Sequence, residues 1–131
     1  MLKKTLFGVL ITLSTCVNAQ DFNPDGSLII KEKSKSKEYG YTGHWKHSIN
    51  VGSEQNVNAY FKSLRGPKGQ PIQYNKVEEC CKFATPNGFI GVGYLDKMEI
   101  NYEGLSNPIY LYINAYDYDN PKIPVGFQVV K

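Results

Sequence analysis

The chain has 131 residues, with 15 lysine and arginine residues against 12 aspartate and glutamate residues, a formal net charge of +3. Lys3 and Lys4 lie in an amino-terminal segment that we expect to be removed, which leaves 13 against 12, or +1. So small an excess excludes the strongly basic surface that is typical of nucleic-acid-binding domains. We therefore expect no nucleic-acid partner.

Residues 1–19 have the pattern of a secretory signal peptide. Two lysines precede a short apolar run, and small residues lead to Ala19, after which we predict cleavage. The run is too short to cross a bilayer, which takes ~20 apolar residues. The stretch from Leu13 to Cys16 resembles a bacterial lipoprotein signal, so an anchor at a lipidated Cys16 is the alternative. The predicted location is the periplasm or the exterior, with no transmembrane segment in the mature chain.

Residues 20–131 suffice for one small domain with one modest core. Residues 20–38 are rich in turn formers and then in lysine, which predicts a loose segment or a short edge strand. Ten tyrosines and six phenylalanines favour a sheet-rich fold.

The clearest predicted helix covers residues 53–65. Ser53 can cap its first amides, and Glu54 suits the positive end of the helix dipole. The spacing i, i+3, i+4 and i+7 then predicts one buried stripe, formed by Val57, Tyr60, Phe61 and Leu64.

Two later segments alternate apolar and polar residues and predict an antiparallel hairpin, at 97–103 and 109–118. In the second segment Tyr110, Tyr112 and Tyr116 share the face opposite the aliphatic residues. That face either stacks on a sugar or peptide or is covered as a second packed layer. Residues 123–130 are expected to add a last strand to the same sheet. The predicted fold class is α+β, with one amphipathic helix packed on a mainly antiparallel sheet.

Cys80 and Cys81 are adjacent, and they are the cysteines that remain after removal of the signal. Export to an oxidising compartment favours a disulfide between them, although neighbouring Cα atoms ~3.8 Å apart are closer than in a relaxed bridge. Two buried reduced cysteines are the second interpretation. A redox or metal site is the third, since metal-binding pairs are usually spaced by two to four residues.

The run from Thr85 to Gly88, Thr-Pro-Asn-Gly, predicts a turn, because proline presets one dihedral angle and Asn-Gly accepts left-handed backbone. Together with Cys80, Cys81 and the three tyrosines, Asn87 and Gly88 are our candidate binding residues. His44 and His47 are weak candidates for metal ligands, because nearby glycines disfavour a helix that would align them. We predict no catalytic set and no cofactor.

Four short runs carry a family resemblance, and they are Leu64–Gly69, Glu79–Phe83, Thr85–Phe89 and Leu111–Asp117. They resemble a family of small exported proteins from Bacteroidetes, over roughly residues 57–127. Some members carry the label 2-dehydro-3-deoxyphosphooctonate aldolase, so the resemblance implies that activity as one alternative. Enzymes of that name are similar to TIM barrels of ~250 residues and act on phosphorylated cytoplasmic substrates. The size and the predicted export of this chain both disfavour that activity.

The expected function is that of an exported, non-enzymatic binding or interaction module. Its partner would be a small ligand or another protein of the cell envelope. The alternative is a thiol- or metal-dependent enzyme that uses Cys80 and Cys81 with His44 or His47.

Overall fold

The computed structural model describes residues 21–130, so the predicted signal peptide and Cys16 lie outside the described residues. Within that range the chain forms one α-helix, a short 3-10 helix and six strands. The 3-10 helix spans Trp45–His47. The elements are β1 (Ile49–Asn50), α1 (Glu54–Ser63), β2 (Leu64–Arg65), β3 (Ile72–Phe89), β4 (Val92–Tyr102), β5 (Ile109–Asn114) and β6 (Gln128–Val129).

The main sheet has four strands in the order β1, β5, β4, β3. The β3–β4 and β4–β5 pairs are antiparallel, and the second contains the predicted hairpin. Strand β1 pairs in parallel with β5, with Ile49 opposite Ile113. The prediction of an α+β domain with a mainly antiparallel sheet is confirmed.

Helix α1 begins where the sequence predicts, because the Ser53 hydroxyl accepts a hydrogen bond from the Asn56 backbone N–H at 3.2 Å. The helix ends at Ser63, two residues before the predicted end, since the next two residues become extended and form β2. The predicted stripe is confirmed as the core face, and all of it is buried: Val57, Tyr60, Phe61 and Leu64.

The carboxy-terminal segment does not join the main sheet, and that prediction is wrong. Strand β6 pairs antiparallel with β2 in a separate two-stranded ladder. Phe127 is buried in the core and the Val130 N–H donates to the Ser63 carbonyl, so the tail packs near the end of α1. Residues 21–38, predicted to be loose or a short edge strand, form isolated β-bridges but no strand. Leu28 and Ile30 of this segment are nevertheless buried in the core.

The predicted turn at residues 85–88 lies inside β3 instead. Ala84 and Phe89 both pair with Val92, so the four residues between them bulge out of the ladder. The hairpin turns at Ile90 and Gly91, whose φ angles of 53° and 72° are left-handed. A Cβ atom on Gly88 would lie 2.0 Å from the Val92 carbonyl oxygen, so this glycine permits the close approach of two backbone segments.

Strand β4 presents different residues to the two faces of the sheet. Met98 and Ile100 face α1 and belong to the core. Lys97 and Glu99 pair with Tyr112 and Tyr110 on the opposite face. The alternation predicted for 109–118 is confirmed as far as Ile113, because Leu111 and Ile113 are fully buried while Tyr110 is exposed. The strand ends at Asn114, four residues before the predicted end, so Tyr116 lies beyond it.

Candidate functional site

Cys80 and Cys81 form a disulfide bond, which confirms the first of the three interpretations. Cys81 has a left-handed φ of 63°, and the β3–β4 register shifts between Cys80 and Lys82. The bond therefore occupies a bulge in the middle of β3.

The loop before the 3-10 helix lies against this disulfide. A Cβ atom on Gly43 would lie 2.9 Å from Cys81 Sγ and 3.7 Å from Tyr112 Cε2. Gly43 thus packs between the sulfur and the tyrosine ring, and any larger residue there would collide with Cys81. Two of the predicted binding residues, Cys81 and Tyr112, are brought together in this way.

Tyr110 lies on the same face of the sheet and carries polar partners. Lys97 Nζ is 4.6 Å from the centroid of the Tyr110 ring, a cation–π contact. The Tyr110 hydroxyl donates to Glu99 Oε2 at 3.3 Å. Because 36% of Tyr110 is still exposed, the ring remains open to solvent. We call this region the disulfide–tyrosine surface, and it comprises Cys80, Cys81, Lys97, Glu99, Tyr110 and Tyr112.

The other three predicted binding residues, Asn87, Gly88 and Tyr116, lie near the turn of the β3–β4 hairpin. Asn87 Nδ2 donates to Asp117 Oδ1 at 2.8 Å. The Tyr116 ring packs edge-on against Phe83, and its atoms leave no room for a side chain on Gly93, where a Cβ would lie 2.9 Å away. These contacts are internal, so Asn87 and Tyr116 hold the hairpin to the segment after β5.

Asp117 accepts three side-chain hydrogen bonds near this turn. Besides the bond from Asn87, it accepts one from the buried Thr85 hydroxyl at 2.7 Å and one from Asn114 Nδ2 at 2.9 Å. Partial burial alone would raise the pKa of Asp117, but the bonds from Asn114, Thr85 and Asn87 outweigh it and lower that pKa. The carboxylate is fully paired and negative at neutral pH. We call this cluster the Asp117 network.

The two histidines lie close together, with ring centroids 5.7 Å apart. His44 Nδ1 accepts from the Lys46 backbone N–H at 3.1 Å, and His47 Nδ1 is 3.0 Å from Thr42 Oγ1. His47 Nε2 lies 3.3 Å from a Glu38 carboxylate oxygen. Residues 21–130 contain no group of three or more histidine, cysteine or acidic side chains placed to hold a metal ion.

A further candidate, which the sequence analysis missed, is a cavity of about 190 Å³ between the start of α1 and the β3–β4 hairpin. Asp96 lines it from β4, Lys76 from β3 and Glu54 from α1. The predicted strand began one residue after Asp96. Extending its alternation backwards places Asp96 on the buried face with Met98, which was the available signal.

Asp96 is buried, with 5% of its side chain exposed. Its Oδ1 lies 3.5 Å from Lys76 Nζ, while Oδ2 has no hydrogen-bond partner within residues 21–130. Burial and the neighbouring Glu54 carboxylate raise the pKa of Asp96 to about 6, and Lys76 opposes that rise only in part.

Comparisons of the chain with protein-family models, with curated proteins and with solved structures gave no match. The architecture of residues 21–130 differs from the eight parallel strands and eight helices of a TIM barrel, since it has a mainly antiparallel sheet and one α-helix. The α-helix of the described residues is too short to cross a membrane.

Proposed function

We propose that the protein is an exported binding module that holds its ligand on the disulfide–tyrosine surface. The observation that carries this proposal is the partly exposed Tyr110, with Lys97 over its ring and Glu99 bonded to its hydroxyl, on the sheet face opposite the helix. The exported location follows from the predicted signal peptide and is part of the same proposal.

Binding fits this surface better than thiol catalysis does. A thiolate is the nucleophilic form of cysteine, and both sulfurs here are joined to each other. An enzyme that used Cys80 or Cys81 with His44 or His47 would first need a reductant. The one-residue bulge at Cys81, closed by the disulfide, instead fixes the backbone beside Tyr112, which preorganises the surface.

The chemistry of the surface favours a small saccharide as the ligand. The exposed part of the Tyr110 ring, beside Lys97, can contact the C–H groups of a sugar. Lys97 Nζ is a hydrogen-bond donor and the Glu99 carboxylate an acceptor, so together they match the two roles of a hydroxyl group.

The test is a titration of the protein with a panel of neutral oligosaccharides, followed by amide chemical shifts. We expect saturable shifts at Tyr110, Tyr112 and Lys97. Tyr110→Ala should weaken the affinity about fivefold, the value of a lost aromatic contact. Tyr118→Ala, which removes an exposed tyrosine outside this surface, is the matched control and should leave the affinity unchanged.

Absence of binding by any oligosaccharide, or equal loss in both variants, would contradict the proposal. Substrate turnover that appears after reduction and disappears in Cys80→Ser would support the thiol-dependent enzyme instead.

A further inference from the structure

We propose that the cavity between α1 and the β3–β4 hairpin is a second binding site, one that accepts a primary ammonium group on a short alkyl stem. We call it the acidic pocket, and its lining includes Glu54, Val57, Tyr74, Lys76, Asp96 and Met98 together with two asparagines, Asn58 and Asn75. It lies on the helix side of the sheet, so it is separate from the disulfide–tyrosine surface.

The unpartnered oxygen of Asp96 is the first observation behind this proposal. A buried carboxylate oxygen is costly without a hydrogen-bond donor, and such atoms are rare in folded proteins. Lys76 Nζ is shared between Asp96 Oδ1 and Glu79 Oε2, at 3.5 and 3.1 Å. The Glu54 carboxylate is close enough to share a proton with Asp96, but it offers no donor when both groups are ionised. At neutral pH a donor for Asp96 Oδ2 therefore has to come from outside residues 21–130.

The charge of the pocket points to a cation. Glu54 and Glu79 stand near Asp96 against the single positive charge of Lys76, which leaves a local excess of negative charge. An ammonium group has three N–H donors, and Asp96 Oδ2 and the two Glu54 carboxylate oxygens are acceptors for them. A calcium ion would need six or more oxygen ligands, and residues 21–130 hold no group of three side chains suited to a metal.

The volume of the acidic pocket and its apolar lining residues favour a ligand with a short alkyl stem. The cavity measures about 190 Å³, and Val57, Tyr74 and Met98 give it an apolar side. Glu54 is exposed in the first turn of α1 and faces Asp96, so it lies where a ligand would enter from solvent. A chain of three or four methylene groups that ends in an ammonium, as at the tip of a lysine side chain, has this combination of features.

A proton competes with the ammonium for the same oxygen. The groups that face Asp96 are Glu54 on α1 and Lys76 with its partner Glu79 on β3. Because the pKa of Asp96 is about 6, the carboxylate is ionised at pH 7.5 and mostly protonated at pH 5. The affinity for an ammonium must therefore fall as the pH falls through this range.

The experiment is a titration of the protein with n-butylammonium chloride, followed by amide chemical shifts. At pH 7.5 we expect saturable shifts around Asp96 and Met98, and an affinity about tenfold weaker at pH 5. Asp96→Asn and, separately, Glu54→Gln should each weaken the affinity several-fold. Glu103→Gln, an exposed acidic residue just after β4, should leave it unchanged.

Two ligand controls separate hydrogen bonding from other effects. n-Butanol has the same stem without the charge, and tetramethylammonium has the charge without an N–H donor. Equal binding of either compound, no saturation at pH 7.5, or unchanged affinity in Asp96→Asn with a native amide spectrum would overturn the proposal. Since none of these measurements involves Tyr110, failure here is distinct from failure of the saccharide proposal.

Discussion

The acidic pocket and the Asp117 network each contain one aspartate, and the two carboxyl groups behave in opposite ways. Asp96 is almost fully buried, has one oxygen without a donor, and its pKa rises to about 6. Asp117 is half-buried, is held by three side-chain hydrogen bonds, and has a lowered pKa. Hydrogen-bond donors outweigh burial and lower the pKa at Asp117, whereas burial and the Glu54 carboxylate outweigh Lys76 and raise the pKa at Asp96.

The comparison separates a structural carboxylate from one that is available for binding. All the donors around Asp117 come from the chain itself and join β3 to the segment after β5. No donor from residues 21–130 reaches Asp96 Oδ2, so this oxygen pairs with water, with a ligand or with a proton shared with Glu54. The same residue type thus supports the fold at one place and offers a site at the other.

The largest expected effect comes from breaking the Asp117 network. Asp117→Ala leaves the Thr85 hydroxyl and the Asn114 amide buried without their acceptor. Each buried unpaired group costs ~1–3 kcal/mol, so the free energy of unfolding should fall by about 3 kcal/mol. Urea denaturation measures it. Asp119→Ala, two residues away and exposed, is the control and should change stability by less than about 0.5 kcal/mol.

A smaller effect of opposite sign is expected at Asp96. Its folded pKa of about 6 exceeds its ordinary value of 3.8, so the folded state binds the proton more tightly than the unfolded state does. Its stabilising contribution is full below pH 4 and is lost as the pH rises through 6. Asparagine does not titrate. As the pH rises from 4 to 8, the free energy of unfolding of Asp96→Asn should therefore increase by about 2 kcal/mol relative to that of the natural protein.

Urea unfolding curves of both proteins at a series of pH values provide that measurement. A constant difference between them from pH 4 to pH 8 would show that the pKa of Asp96 is not raised in the folded protein. Asp117 should act in the reverse direction, because its lowered pKa gives stability that is lost as the pH falls below its ordinary value.

The smallest expected effect tests what Glu54 adds to the acidic pocket. Glu54→Gln removes the neighbouring negative charge, so the pKa of Asp96 should move from about 6 towards its ordinary value. Burial is the larger cause of the raised pKa and is unchanged in the variant. The free energy that corresponds to the pKa change should therefore be less than about 1 kcal/mol. A side-chain carboxyl NMR titration of Asp96 measures it, and a pKa that rises in the variant would contradict the assigned cause.

Much of the fold could be predicted because its signals are local. The stripe of α1, the Ser53 cap and the alternation in β5 are each written in a few neighbouring residues. The turn was misplaced because Asn87 is held by Asp117, 30 residues further along the chain, which local turn preferences do not include. The pairing of β6 with β2 is also a contact between residues far apart in the chain, so no local pattern predicts it. In addition, β2 directly follows the helix, and its two residues fall within the predicted helix.

The candidate sites were predictable only in part. Adjacent cysteines and a run of tyrosines are visible in the sequence, and the structure places Cys81 beside Tyr112. The acidic pocket depends on a meeting of α1, β3 and β4, three elements whose relative positions no local pattern gives. The one local signal concerns Asp96, because the alternation of β4 extended back from Met98 places it on the buried face.

The adjacency of Cys80 and Cys81 also bears on how the protein matures. Of the three cysteines in the sequence, these two lie in residues 21–130, so only one pairing exists within that part of the chain. The ring between neighbouring residues is short and stiff, so their closeness in the unfolded chain does not by itself make the bond form early. Because only one pairing exists, we expect no slow reshuffling of mispaired bridges within residues 21–130.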